Sequence, residues 1–216
     1  MACLYNLRGL RIDTPGAGID FSWFPELEIF SGDWHRDNCN LGHCRELRTL
    51  RLRQFKPASS DLSDLTSATR LETLDIVKTD ITSLAGVEAL EDLRYLDITY
   101  APKLVSLDAL SVGDCGIREI GFESVKKISS YNPLVSVRFL RRLKLFSCAP
   151  MPDLTWTRGM NRLDFFSFVE TNVENGDLSP LLDLPLLRYV GTMDKKHYNY
   201  KSEKLNELLD QRRPRV

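Results

Sequence analysis

Apolar residues recur along the chain in a short frame, Leu-x-x-Leu-x-Ile, whose last two apolar positions flank a single outward position. Leu71, Leu74 and Ile76 define it. The same frame fits Leu7/Leu10/Ile12, Phe24/Leu27/Ile29, Leu47/Leu50/Leu52, Leu93/Leu96/Ile98, Ile117/Ile120/Phe122, Leu140/Leu143/Leu145, Met160/Leu163/Phe165 and, more loosely, Leu187/Val190/Thr192. Alternation of apolar and polar positions predicts a short strand with one buried face.

The frame repeats at a nearly constant distance. From the third unit onwards its middle position falls at 50, 74, 96, 120, 143, 163 and 190, which gives offsets of 24, 22, 24, 23, 20 and 27 residues. Self-similarity at this period predicts a solenoid, in which each unit buries the apolar side of its neighbour. Apolar residues at every third position between strands (Ile81, Leu84, Val87) favour tight helical or extended turns over long α-helices.

The run Leu74-x-Ile76-x-x-Thr79-x-Ile81-x-x-Leu84-x-x-Val87-x-x-Leu90 resembles the leucine-rich repeat family. The nearest subtype is the 22-residue kind of internalin-like and SDS22-like proteins, in a small stand-alone bacterial form. The resemblance implies an α/β fold: a right-handed solenoid of seven to nine repeats, a parallel sheet on its concave side, and short 3-10 or extended convex segments. It also implies that ligands bind on the concave face.

One column departs from the family pattern. The family usually carries Asn five residues after the middle Leu, where it binds neighbouring backbone, whereas this chain has Phe55, Thr79, Ala101, Val125, Cys148 and, in the frame above, Phe168. The turns must therefore satisfy their backbone groups in another way.

We expect a single domain over 1–216. Residues 1–46 would form an aromatic-rich N-terminal cap with irregular repeats, 47–193 the regular repeats, and 194–216 a capping helix and tail. Ser202 is the expected N-cap of that helix, which should stop before Pro214 and bury Leu205, Leu208 and Leu209. The segment before it resembles the tail of stand-alone bacterial leucine-rich repeat proteins.

Composition and charge exclude some partners. With 29 Lys and Arg against 30 Asp and Glu, the net charge is −1, so neither nucleic acid nor an acidic membrane is an expected partner. Arg8 and Arg11 interrupt the apolar N-terminal stretch, which favours a chain without a signal peptide. Five scattered cysteines indicate reduced thiols and a cytoplasmic location, although a chain trimmed of its signal would look the same.

The residues that flank the buried strand positions should project together from the open side of the sheet. They include an acidic band with cationic residues on either side, and Tyr95, Phe146, Phe166 and Tyr189 lie among these charges. The acidic band consists of Asp75, Asp97, Glu119 and Glu123. Aromatic residues beside charged groups are typical of protein-binding hot spots. The candidate partner-binding residues are Arg51, Arg53, Asp75, Tyr95, Asp97, Glu119, Glu123, Lys144, Phe146 and Phe166. The alternative interpretation is that these charges keep the sheet soluble and pair across strands.

Metal and catalytic chemistry have little support in the sequence. His35, Cys39, His43 and Cys44 have the spacing H-x3-C-x3-H-C, which is not a usual zinc arrangement, so we expect no metal, with Cys44 packing inward. No hydrolase, metalloprotease or phosphate-loop motif occurs, and no cofactor is expected. Asp75 and Asp97 would be close enough to act as an acid and base, but an open sheet does not exclude water.

The function expected from these features is non-catalytic binding of another protein through the concave sheet. An acidic band suits a basic partner, and one hypothesis is a bacterial immunity protein that neutralises a toxin or an enzyme with a basic surface. The alternatives are an SDS22-like regulatory subunit of a cellular enzyme and an exported internalin-like adhesin.

Overall fold

Nine parallel strands form one sheet in the computed structural model, which describes residues 5–13, 16–113 and 116–212. Each strand pairs with the next along the chain. The strands are β1 (Gly9–Ile12), β2 (Ile29–Asp33), β3 (Thr49–Arg53), β4 (Thr73–Val77), β5 (Tyr95–Thr99), β6 (Glu119–Glu123), β7 (Arg142–Phe146), β8 (Phe165–Ser167) and β9 (Tyr189–Gly191).

Short 3-10 segments return the chain between successive strands, and one α-helix, α1 (Ser202–Gln211), follows β9. The 3-10 segments are Phe21–Trp23, Leu41–His43, Ser63–Leu65, Val87–Ala89, Asp108–Ser111, Asn132–Ser136, Thr155–Gly159 and Ser179–Asp183. No helix in the described part of the chain has the length and apolar character that crossing a membrane requires.

The core lies between the sheet and these turns as stacked columns of apolar side chains. In the middle column Leu50, Leu74, Leu96 and Ile120 are paired in register and almost wholly buried. On the other side of the core, each 3-10 segment contributes a buried residue such as Val87. The leucine-rich repeat solenoid predicted from the repeats, with its parallel sheet, 3-10 turns and C-terminal helix, is confirmed.

The frame predicted for the eighth unit is wrong by three residues. Phe166, not Leu163, pairs with Leu143, and Phe166 is fully buried. It therefore cannot contact a partner as expected; the outward residues of β8 are Phe165 and Ser167. The error arose because Met160 is also apolar and buried, three residues before Leu163. The frame could therefore be started at Met160, one three-residue step too early. In the corrected frame the irregular offsets of 20 and 27 become 23 and 24.

The same slip occurred in the second unit. Phe30 is the middle position of β2, paired with Leu50, whereas Ile29 projects outward and is exposed. The alternation was hard to recognise because the second inward position is Gly32, whose place leaves no room for a side chain: a Cβ atom there would lie 2.0 Å from the backbone oxygen of Ile12.

Hydroxyl and thiol groups take over part of the role of the missing asparagine column. In the corrected frame this column holds Thr171, whose Oγ1 accepts a hydrogen bond from Cys148 N (2.9 Å) and donates one to Leu145 O (2.9 Å). One repeat earlier, Cys148 Sγ donates to Phe122 O at 3.2 Å. Both side chains thus bridge consecutive repeats.

At the C-terminal end, α1 covers the edge of β9. Asn206 Oδ1 accepts from Val190 N (2.9 Å) and its Nδ2 donates to Val190 O (2.8 Å), so one side chain satisfies both backbone groups of the edge residue. Ser202 is the first residue of the helix, not the N-cap as expected, and its amide donates to Asp194 Oδ1 at 2.7 Å.

Candidate protein-binding surface

The open face of the sheet presents three parallel columns of side chains. Strand register places Thr73, Tyr95, Glu119, Arg142, Phe165 and Tyr189 in the first column, Arg51, Asp75, Asp97, Gly121 and Lys144 in the second, and Arg53, Val77, Thr99, Glu123 and Phe146 in the third. Nine of the ten candidate residues therefore lie on one surface, which we call the sheet face, and Phe166 does not.

Asp75 and Asp97 are direct cross-strand neighbours at the centre of the sheet face. Both are half-buried, and a depression of about 440 Å³ lies over them. Burial, with a smaller effect of the neighbouring Asp75, raises the pKa of Asp97 to about 6 against the opposing effect of Lys144. Burial likewise raises the pKa of Asp75, against the opposing effect of Arg51. The pair therefore carries negative charge that the protein solvates incompletely.

Gly121 provides the space that the Asp97 carboxylate occupies. It follows Asp97 in the second column, and a Cβ atom at this position would lie 2.4 Å from Asp97 Oδ2. The carboxylate therefore extends over the glycine of the next strand.

The acidic band is smaller than the sequence predicted, because Glu119 is neutralised within the protein. Lys144 Nζ lies 2.5 Å from its Oε1 and Arg142 Nε lies 3.4 Å from its Oε2. Cross-strand pairing, the alternative interpretation, thus describes Glu119 correctly. Glu123, in the third column, is exposed.

The two candidate arginines of β3 differ in their surroundings. Arg53 Nε lies 2.7 Å from Asp33 Oδ1 and its Nη2 lies 2.8 Å from Asp13 Oδ1, so it ties β3 to β2 and to the end of β1. Arg51 is exposed and has no salt bridge among the described residues. Arg51 is therefore freer than Arg53 to meet a partner.

Exposed aromatic side chains occupy three places on the sheet face. Tyr95 (48% exposed) lies beside the aspartate pair, and Phe146 (39% exposed) lies in the third column. Near the C-terminal end, Phe165 stacks on Tyr189 at 5.2 Å between ring centroids, and the Arg142 guanidinium lies 4.3 Å from the Phe165 ring centroid. Phe165 was not predicted as an outward residue. A constant 23-residue step from Leu143 would have placed Phe166 at the buried middle position and left Phe165 on the open face.

The His and Cys residues of the loop after β2 do not form a metal site. No group of three or more His, Cys, Asp or Glu side chains within 5–13, 16–113 and 116–212 is placed to hold a metal ion. Cys44 packs inward as expected: its Sγ donates to Phe24 O at 3.4 Å, and burial raises its pKa to about 11. Cys39, Cys44 and Cys148 are free thiols; Cys3 and Cys115 lie outside the described residues.

These features define a leucine-rich repeat solenoid with an open, polar and aromatic sheet face. Several solved structures have a similar fold. Internalin C2 of Listeria monocytogenes superposes with a TM-score of 0.58 at 16% identity, over 88% of this chain and 83% of that one. Internalin InlF of the same organism gives 0.61 at 15% identity, over 88% and 55%. A leucine-rich repeat protein of Leptospira interrogans gives 0.65 at 13% identity, over 96% and 59%.

In comparisons of sequence, no family model and no curated protein matches this chain. The chain spans a little more than half of the InlF and Leptospira chains. At these identities the likeness establishes the fold and not the partner.

Proposed function

We propose that this protein is a non-catalytic binding module that holds a basic protein surface against its sheet face. The observation that carries the proposal is the Asp75–Asp97 pair: two half-buried carboxylates in register, with exposed Tyr95 beside them. Burial has already removed part of their hydration, so a cationic side chain that reaches them pays less for desolvation and gains more from the charge.

The rigidity of the solenoid supports binding on this face. Stacked repeats fix the three columns before a partner arrives, so little conformational entropy is lost on association. Arg51, Glu123 and Phe146 complete the predicted contact set around the aspartates, and Phe165 with Tyr189 extends it towards the C-terminal end. Arg53, Glu119 and Lys144 act mainly through their salt bridges within the protein.

The finer identity that we favour is a cytoplasmic bacterial immunity protein, of the 22-residue repeat type, that covers the basic surface of a toxin. Free thiols at Cys39, Cys44 and Cys148 suit a reducing compartment. An SDS22-like regulatory subunit is the second candidate, because the same surface would serve a cellular enzyme. A toxin gene adjacent to the gene for this protein would favour the first candidate, and its absence would count against it.

Affinity capture from the native cell, read by mass spectrometry, tests the binding surface. The bait is the wild type compared with an Asp75→Arg, Asp97→Arg double variant. A Glu91→Arg, Glu174→Arg double variant is the matched control, because it makes the same change in net charge at exposed positions outside the strands.

We expect one or more proteins to be captured by the wild type and the control but lost with the sheet-face variant. Purified partner should then bind the sheet-face variant at least about tenfold more weakly, the cost of removing a buried charge contact. A partner that both double variants retain equally would move the binding site away from β4 and β5.

A further inference from the structure

A second concave site lies outside the sheet face, in a cleft of about 750 Å³ beside the 3-10 segments Leu41–His43 and Ser63–Leu65. Its volume falls within the range of about 300 to 1,000 Å³ that is usual for small-ligand sites. Trp34 forms one wall, and its ring is held by stacking on Phe21 (6.3 Å between centroids) and by edge contact with Phe55 (5.5 Å).

Cationic side chains outnumber carboxylates in the lining of this cleft. Arg36, Arg45 and Lys56 line it together with a single carboxylate, that of Asp64. Arg45 and Lys56 have no salt bridge within the described part of the chain. Arg36 meets only Asp37, at 3.7 Å between two exposed side chains, which is a weak interaction.

This local excess of positive charge is not inherited from the composition, since the whole chain has a net charge of −1. Asp37 partly compensates Arg36, whereas Arg45 and Lys56 have no carboxylate within salt-bridge distance among the described residues. Because like charges gathered in one concavity repel each other, an anionic ligand would relieve the repulsion as well as gain its own contacts.

An unused hydrogen-bond donor lies in the same lining. Asn38 Oδ1 accepts from Ile19 N at 2.9 Å, which fixes the orientation of the side-chain amide. Its Nδ2 is buried and donates to no acceptor among the described residues. A buried donor without an acceptor costs about 1 to 3 kcal/mol in general, and a ligand oxygen could accept from it only after a movement that opens this atom to the cleft.

We propose that this cleft binds a phosphate monoester, carried either by a small molecule or by a phosphorylated side chain of a protein. A phosphate monoester has a charge of about −1.5 to −2 near pH 7 and three acceptor oxygens, which match the excess charge and the free donors. A single carboxylate would leave a cation uncompensated. Two of the three cations are arginines, whose planar forks suit phosphate oxygens.

The cleft volume exceeds that of a phosphate group, which leaves room for the group that carries it. Trp34 offers this group an apolar wall. The site is separate from the sheet face, so the proposal does not depend on the proposed function.

Isothermal titration of the full chain tests the proposal with four probes: inorganic phosphate, a phosphoserine pentapeptide, the same peptide without phosphate, and acetate. Arg45→Gln and Lys56→Gln remove one cation each. Lys127→Gln is the control, because it removes an exposed lysine outside the cleft. Thermal unfolding verifies that each variant is folded. If Arg45→Gln does not fold, Lys56→Gln alone tests the proposal.

We expect saturable binding of a phosphate probe, weakened about tenfold by each cleft variant and unchanged by Lys127→Gln. Tighter binding of the phosphopeptide than of inorganic phosphate would identify a protein side chain as the source, and equal binding a small phosphate. Absence of saturable binding by both phosphate probes, equally tight binding of acetate, or insensitivity to both cleft variants would overturn the proposal.

Discussion

Asp97 shows how a single half-buried carboxylate on the sheet face lowers stability at neutral pH. Its ordinary pKa of 3.8 applies in the unfolded chain, and burial, with Asp75 nearby, raises the pKa to about 6 in the folded protein. Between these two values the folded state binds more protons than the unfolded state. The contribution of Asp97 to folding is therefore most favourable below about pH 4 and declines as the pH rises through 6.

We expect Asp97→Asn to stabilise the protein at pH 7 by about 1 kcal/mol, after allowance for solvent screening of a half-exposed group. The amide keeps the shape of the carboxylate beside Gly121 but removes its charge. Urea unfolding at pH 7 and at pH 4 measures the effect, which should disappear at pH 4. Glu123→Gln is the control, as an exposed carboxylate of the same face, and should change stability little. An Asn variant less stable than the wild type at pH 7 would contradict this account.

At the scale of strands and turns, sequence alone located seven of the nine strands in their correct frames and missed the frames of β2 and β8. The repeat is apolar at every third position as well as within the strand, so a frame is secure only where the second inward residue is a large apolar side chain. Gly32 removes that signal in β2. In β8 the adjacent Phe165 and Phe166 are both apolar, so their side chains alone do not show which one faces inward.

The candidate residues on the sheet face could be predicted wherever the frame of their strand was correct, because the frame determines which residues face outward. What the sequence could not provide were contacts that depend on the reach of long side chains between strands. The pairing of Glu119 with Lys144 is one example, and the link from Arg53 to Asp13 is another. Both reduce the charge that is free to meet a partner.

The turn after β8 tests the substitute for the asparagine column. Thr171→Val keeps the side-chain shape but leaves the buried amide of Cys148 without its acceptor, so we expect a loss of about 2 kcal/mol of unfolding free energy. Thr157→Val is the matched control, since Thr157 is equally buried but its hydroxyl only adds a second bond to Leu154 O, which already accepts from Thr157 N.

Chemical denaturation of both threonine variants gives the comparison, and the loss at Thr157 should stay under about 1 kcal/mol. Equal losses at the two positions would show that Thr171 acts as an ordinary buried residue and not as a bridge between repeats.

At the scale of the whole molecule, no strand within the described residues pairs with a strand of a distant repeat. Each strand pairs only with its sequence neighbours, so stability is approximately a sum of repeat and interface contributions. Damage at one end should therefore remain local. The C-terminal end suits a test because one side chain, Asn206, satisfies both the amide and the carbonyl of Val190 at the sheet edge.

We expect Asn206→Ala to cost about 2 kcal/mol, since two partly buried backbone groups lose their partner. Because neighbouring repeats are coupled more strongly than distant ones, hydrogen exchange should quicken first in β9 and β8, while β3 and β4 keep their protection. Gln211→Ala, at the exposed end of the same helix, is the control and should alter neither region. Uniform acceleration from β3 to β9 would mean that the repeats unfold as one unit, and the additive description of this solenoid would then be wrong.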